Sequence, residues 1–126
     1  MSEAQKVLIV DDEDDIRELA RISLERVGGL RVVAASSGER GLELAESEEP
    51  DAIVLDAMMP GMDGPATLQR LKADPATEAI PVVFLTGSVQ EVERERFLSL
   101  GAAGILAKPF DPMQLANELR AVLGWR

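Results

Sequence analysis

Four runs of four apolar residues, rich in β-branched side chains, divide this chain: Val7–Val10, Val32–Ala35, Ala52–Leu55 and Val82–Leu85. Each is too short for a helix and offers no polar side chain to water, so each reads as a strand covered on both faces. A fifth run, Gly104–Leu106, is brief and glycine-led but keeps the same rhythm. Helical patterns fill the intervals. Ile16, Ala20, Leu24 and Val27 recur at spacings of three and four before Gly28-Gly29, as one buried stripe ending at a glycine stop does. Ser36 and Glu39 have the spacing of a capping box, opening a helix through about Glu46. Pro65 suits the first turn of a helix burying Leu68 and Leu71. Val89 to Leu100 is helical in propensity but charge-rich, and Asp111-Pro112 leads into a stripe of Leu115, Ala116, Leu119, Val122 and Leu123. Five strands alternating with five helices call for one doubly wound α/β domain, a parallel sheet with right-handed crossovers and helices on both faces. That domain is expected to occupy residues 1–126, with no effector domain after it.

Charge and composition narrow the function. Thirteen Lys+Arg against 23 Asp+Glu give a net charge of −10, with no histidine and no cysteine. Nucleic-acid backbones and anionic membranes both need a cationic face, so neither is expected as a direct partner. Disulfides, thiolate nucleophiles, zinc sites of the usual kind and histidine triads are excluded. Any chemistry falls to carboxylates, hydroxyls and amines. No apolar run approaches the length of a membrane span, and no signal peptide is evident, so a cytoplasmic protein is expected.

In an open parallel sheet, ligands gather at the carboxyl ends of the strands where strand order reverses. The first strand delivers Asp11 and Asp12 there, the third Asp56 and the fourth Thr86, while Lys108-Pro109 follows the fifth. Three carboxylates about 5 Å apart repel by roughly 3 kcal/mol per pair at an effective dielectric of 20. A cation or a proton must relieve that repulsion, and hard oxygen ligands suit Mg²⁺. The residues therefore read as a Mg²⁺-assisted phosphoryl site with one carboxylate as nucleophile. Taken singly, Asp11 to Asp15 also reads as a solvated helix start, with Glu13, Asp14 and Asp15 no more than that. Asp56 also reads as a turn opener. The joint placement carries the functional reading.

The pieces Val7-Leu8-Ile9-Val10-Asp11-Asp12, Asp56-Ala57-Met58-Met59-Pro60-Gly61-Met62-Asp63-Gly64, Val82-Val83-Phe84-Leu85-Thr86-Gly87 and Gly101 to Phe110 resemble the response-regulator receiver domain of two-component signalling, over essentially the whole chain. The resemblance implies a flavodoxin-like (βα)5 fold with strand order 2-1-3-4-5. It implies that Asp56 accepts a phosphoryl group from a phosphohistidine, and that Asp11, Asp12, Asp56 and the Met58 backbone carbonyl hold Mg²⁺. Lys108 would pair with a phosphoryl oxygen, Thr86 would swing its hydroxyl toward it, and Gly87 would leave room for the donor. Lys108–Pro109 resembles the family's cis-proline. One position departs: three residues before the lysine the family usually carries Tyr or Phe, and here stands Ile105. The switch pair would be Thr86 and Ile105, with a weaker or different relay to the output face. Met58 and Ser88 occupy positions that tune phosphoryl lifetime in the family, and apolar Met58 implies no fast self-hydrolysis.

The implied partners are a histidine kinase or histidine phosphotransfer protein and a downstream target protein, with the chain a monomer or weak dimer. Leu19 and Ile22 flank the first helix's core stripe and suit docking of a histidine-bearing helix. The Val89–Leu100 helix corresponds to the family's output surface. Apart from autocatalytic acceptance and slow self-dephosphorylation, no enzyme activity is expected. Alternatives are a pseudo-receiver that binds partners without phosphorylation, and a receiver belonging to a larger regulator or hybrid kinase. A haloacid-dehalogenase-type phosphatase lacks its second Asp, since Met58 stands two after Asp56. A flavodoxin would have its phosphate repelled by Asp11-Asp12.

Overall fold

Alternate residues of the first strand point to opposite faces of the sheet, and both sets are buried: Leu8 and Val10 in one apolar cluster, Val7 and Ile9 in the other. The computed structural model describes residues 4–87 and 91–126. In chain order the elements are β1 (Lys6–Val10), α1 (Asp14–Ile22), β2 (Arg31–Ala35), α2 (Gly38–Glu48), β3 (Ala52–Asp56), α3 (Gly64–Ala73), β4 (Val82–Thr86), α4 (Glu91–Ser99), β5 (Gly104–Ala107) and α5 (Leu115–Leu123). The strands are parallel in the order β2-β1-β3-β4-β5. This is the flavodoxin-like order expected from the resemblance.

Helices α2, α3 and α4 cover one face through Ala45, Leu68, Leu71 and Phe97. The other face is covered by α1, the turn that follows it and α5 through Ala20, Leu24, Leu115, Ala116 and Leu119. Strand order reverses at β1, whose neighbours are β2 and β3. The carboxyl ends of β1 and β3 thus form the crevice in which such sheets bind ligands.

Four local expectations need correction. Val27 is 44% exposed rather than part of the buried stripe. Residues Ser23–Val27 form a π-helical turn at the end of α1, and its wider winding rotates Val27 away from the sheet. The cap of α2 is Ser37, whose side chain accepts from the Arg40 N–H; Ser36 lies one residue outside, and no capping box closes. The same helix runs two residues beyond Glu46, to Glu48. Finally, α5 begins at Leu115, because Asp111 closes a turn first: its Oδ1 accepts from Met113 N–H and its carbonyl from Gln114 N–H. The Ser23 hydroxyl donates to the Pro112 carbonyl and ties that turn to the π-helical segment. Val122 and Leu123 are partly buried against the core. Val89, the expected start of α4, lies outside the described residues.

Candidate functional site

Backbone pairing carries each strand one step past its end and thereby fixes the site. Asp11 N–H donates to Ala35 O at 3.1 Å, Ala57 N–H to Leu85 O at 3.2 Å, and Lys108 N–H to Thr86 O at 2.8 Å. Asp11, Asp56, Thr86 and Lys108 therefore stand side by side on one sheet edge, as the strand pattern requires. Asp56 pairs with Leu85 and Thr86 with Ala107 in the parallel register.

The two buried carboxylates are held alike. Asp11 is fully buried and Asp56 is 3% exposed. Asp11 Oδ1 accepts from Glu13 N–H at 2.9 Å, and Asp56 Oδ1 accepts from Met58 N–H at 3.1 Å. In each case an amide two residues on fixes one oxygen in an Asx turn and leaves the other facing the pocket. Those facing oxygens, Asp11 Oδ2 and Asp56 Oδ2, have no hydrogen-bond partner among the described residues. The Lys108 ammonium lies 2.9 and 3.4 Å from them, in ion-pair range without hydrogen-bond alignment. Arg17 steadies the loop from outside, donating to Asp11 O at 2.9 Å and to Asp14 Oδ1 at 2.6 Å.

Burial pushes the Asp56 carboxyl up to about 6; the Met58 amide opposes the shift, the Asp11 charge adds to it and Lys108 subtracts. For Lys108, burial pulls the ammonium down, but contact with Asp11 and the charges of Asp11 and Asp56 prevail, so its pKa is raised. Carboxylate oxygens of Asp11, Asp12 and Asp56 lie within 4.8 Å of one another. Three hard donors, two of them with unsatisfied buried oxygens, fit a divalent cation such as Mg²⁺.

Gly64 packs tightly against the backbone at the end of β3. A Cβ there would lie 2.6 Å from Asp56 O, 2.7 Å from Ala57 Cα and 2.9 Å from the Phe84 ring. Among the described residues, a Cβ on Gly87 would meet nothing within 4 Å. Thr86 is buried beside the crevice. Met58 is 75% exposed, and its amide serves Asp56. Ile105 is partly buried against the cluster containing Phe84, its register partner. Lys108–Pro109 is cis. Ser88 lies outside the described residues.

One site residue escaped sequence reasoning. Glu13, read there as part of a solvated helix start, places Oε1 at 3.3 Å from Lys108 Nζ. No local pattern links residues 95 apart in the chain. The signal was its position directly after the strand-end pair.

Residues 7–120 match the family described as the response regulator receiver domain. The chain belongs to that receiver family. It is 41% identical over 119 residues to the probable transcriptional regulator ycf27 of Guillardia theta, covering 94% of this chain and 45% of that protein. To the alkaline phosphatase synthesis transcriptional regulatory protein PhoP of Bacillus subtilis it is 39% identical over 119 residues, or 94% of this chain and 48% of that one. This receiver spans about half the length of the curated relatives it matches. Its fold is similar to that of chemotaxis protein CheY4 of Vibrio cholerae, with TM-score 0.88 and 30% identity over 95% of this chain and 99% of that one. Among the described residues, no helix of the receiver is long and apolar enough to cross a membrane.

Proposed function

We propose that this receiver is a phosphoacceptor in a two-component or phosphorelay pathway. The observation that carries the reading is the pairing of one amide-anchored, buried Asp56 with Asp11, Asp12 and Lys108 around a single crevice. An Asp56 carboxylate oxygen attacks the phosphorus of a phosphohistidine. The O–P bond of an acyl phosphate forms, the P–N bond breaks, and the imidazole leaves with its electron pair to take a proton from solvent. Asp11, Asp12, Asp56 and the Met58 carbonyl would hold Mg²⁺, which supplies charge neutralisation for the transferring group. Lys108 brings a second positive charge to the same edge. Asp56 must be ionised to attack, and Lys108 favours that form.

Thr86 turns its hydroxyl to the new phosphoryl group, and Ile105 answers behind it. The donor is a histidine kinase or phosphotransfer protein, whose histidine-bearing helix meets the exposed Leu19 and Ile22 of α1. The output is a target protein read without direct nucleic-acid contact, in keeping with the charge of −10. The chain is modified rather than turning over a substrate, it works in the cytoplasm, and exposed Met58 leaves self-dephosphorylation slow.

Hydroxylamine trapping tests the reading. After incubation with acetyl phosphate and Mg²⁺, the acyl phosphate should convert to a hydroxamate mapped to Asp56. Folded protein that yields no hydroxamate, or yields it elsewhere, contradicts the assignment.

A further inference from the structure

An ammonium has three N–H donors, and three carboxylates surround that of Lys108: Asp11 Oδ2 at 2.9 Å, Glu13 Oε1 at 3.3 Å and Asp56 Oδ2 at 3.4 Å. The contact with hydrogen-bond alignment is the one to Glu13. The pocket-facing oxygens of the buried pair face the same ammonium and meet no other partner among the described residues. Asp11 is the nearest of the three, and Glu13 is the most hydrated. Side-chain exposure is 61% for Glu13, against 0% for Asp11 and 3% for Asp56.

That difference ranks the carboxylates by how cheaply each releases the lysine. Asp11 and Asp56 are fixed at strand ends, and each is further pinned by an amide on Oδ1. Separating Lys108 from either leaves a buried charge unpaired, which is costly. The Glu13 carboxylate already faces water, so losing its partner costs little. Its backbone is set, since its N–H sits on Asp11 Oδ1 and its carbonyl accepts from Arg17 N–H. Only the side chain has to move.

We propose that Glu13 is a positioning residue that holds the Lys108 ammonium at the pocket mouth and is displaced by the incoming phosphoryl group. The proposal rests on the phosphoacceptor reading and adds a regulator of the same site. The phosphoryl group, which as a whole carries more charge than one carboxylate, takes over the donor that Glu13 gives up. Until then, Glu13 restrains the lysine and repels anionic donors, so uptake from small phosphodonors is slower than the pocket alone would allow.

The test compares rates of phosphoryl uptake from acetyl phosphate, with saturating Mg²⁺ at physiological ionic strength. The set is wild type, Glu13→Ala, Glu13→Gln, Asp15→Asn and Lys108→Met with and without Glu13→Ala. Glu13→Ala should be about two- to fivefold faster, the range of an exposed ion pair, with Glu13→Gln between it and wild type. Asp15→Asn removes an equal charge from the same exposed helix start and should match wild type. In the Lys108→Met background, Glu13→Ala should change nothing. Beryllofluoride, which imitates the bound phosphoryl group, should bind Glu13→Ala tighter by the same factor. An unchanged Glu13→Ala in a reactive wild type overturns this proposal alone. So does an equal gain in Asp15→Asn, or a gain that survives loss of Lys108. A folded wild type that takes no phosphoryl group overturns the functional reading and this proposal with it.

Discussion

The Lys108 ammonium stands 2.9 Å from Asp11 Oδ2, so the residue after the last strand is clasped to the residue after the first. The contact spans the sheet edge over β3 and β4, and Asp56 lies beneath it at 3.4 Å. One positive charge thereby serves two buried negative ones. The imbalance makes the pocket receptive to a cation and costs stability when none is present.

That cost has a pH signature. Asp56 titrates near 3.8 unfolded and about 6 folded, so between those values the native state binds the extra proton. The group's stabilising contribution is therefore complete below 3.8 and is lost as pH rises through about 6, a change of about 3 kcal/mol at most. Lys108 is raised instead, so its contribution persists across this window and is lost only at high pH. Urea unfolding without Mg²⁺ should show lower stability at pH 7 than at pH 4.5. Asp56→Asn should flatten that slope and be the more stable protein at pH 7. A stability that rises steadily from pH 4 to pH 7 in wild type would contradict the assignment.

Magnesium should act in the opposite direction. It should bind the ionised carboxylates of the folded chain, and millimolar Mg²⁺ should then raise stability at pH 7. The gain should shrink at pH 4.5, where protons compete for Asp56. Asp12→Asn should lose most of the gain, because Asp12 completes the three-carboxylate cluster. Equal stabilisation of wild type and the variant would remove the cluster from consideration as the cation site.

Much of this was legible in the sequence because strands with no polar face leave little choice of architecture. The strand ends then name Asp11, Asp56, Thr86 and Lys108 without further information. Features that depend on backbone angles were not legible. Ser36 and Ser37 are adjacent caps by composition, and only the extended conformation of Ser37 (φ −151°, ψ 162°) selects it. Val27 fits a 3.6-residue stripe on paper, yet the π-helical turn moves it off the stripe. Glu13 joins the site only through Lys108, a long-range contact that no local pattern encodes.

Gly64 should be as sensitive as the carboxylates although it carries no chemistry. A methyl there meets the backbone of Asp56 and Ala57, which cannot step aside. Gly64→Ala should destabilise by about 1–3 kcal/mol, as overpacking does. It should also slow phosphoryl uptake by shifting the loop that carries the Met58 amide. Circular dichroism melts beside uptake rates would check both; a neutral substitution would mean that the β3–α3 loop is looser than its contacts indicate.

Ile105 should limit how far the signal travels. Isoleucine is stiff at χ1 and brings no ring into the space next to Phe84, its register partner. Beryllofluoride binding should therefore shift amide NMR signals strongly at residues 56–58 and 86–87, and weakly along β5. Ile105→Phe should enlarge the response along β5. A strong β5 response in wild type would show that the relay works without the aromatic ring.

The most direct measurement is intact-mass spectrometry after acetyl phosphate treatment, with and without Mg²⁺, beside Asp56→Asn. The expected result is one phosphoryl adduct in wild type that requires Mg²⁺ and is absent from the variant. An adduct that persists in Asp56→Asn, or none in folded wild type quenched rapidly in acid, would contradict the assignment of Asp56 as the phosphoacceptor.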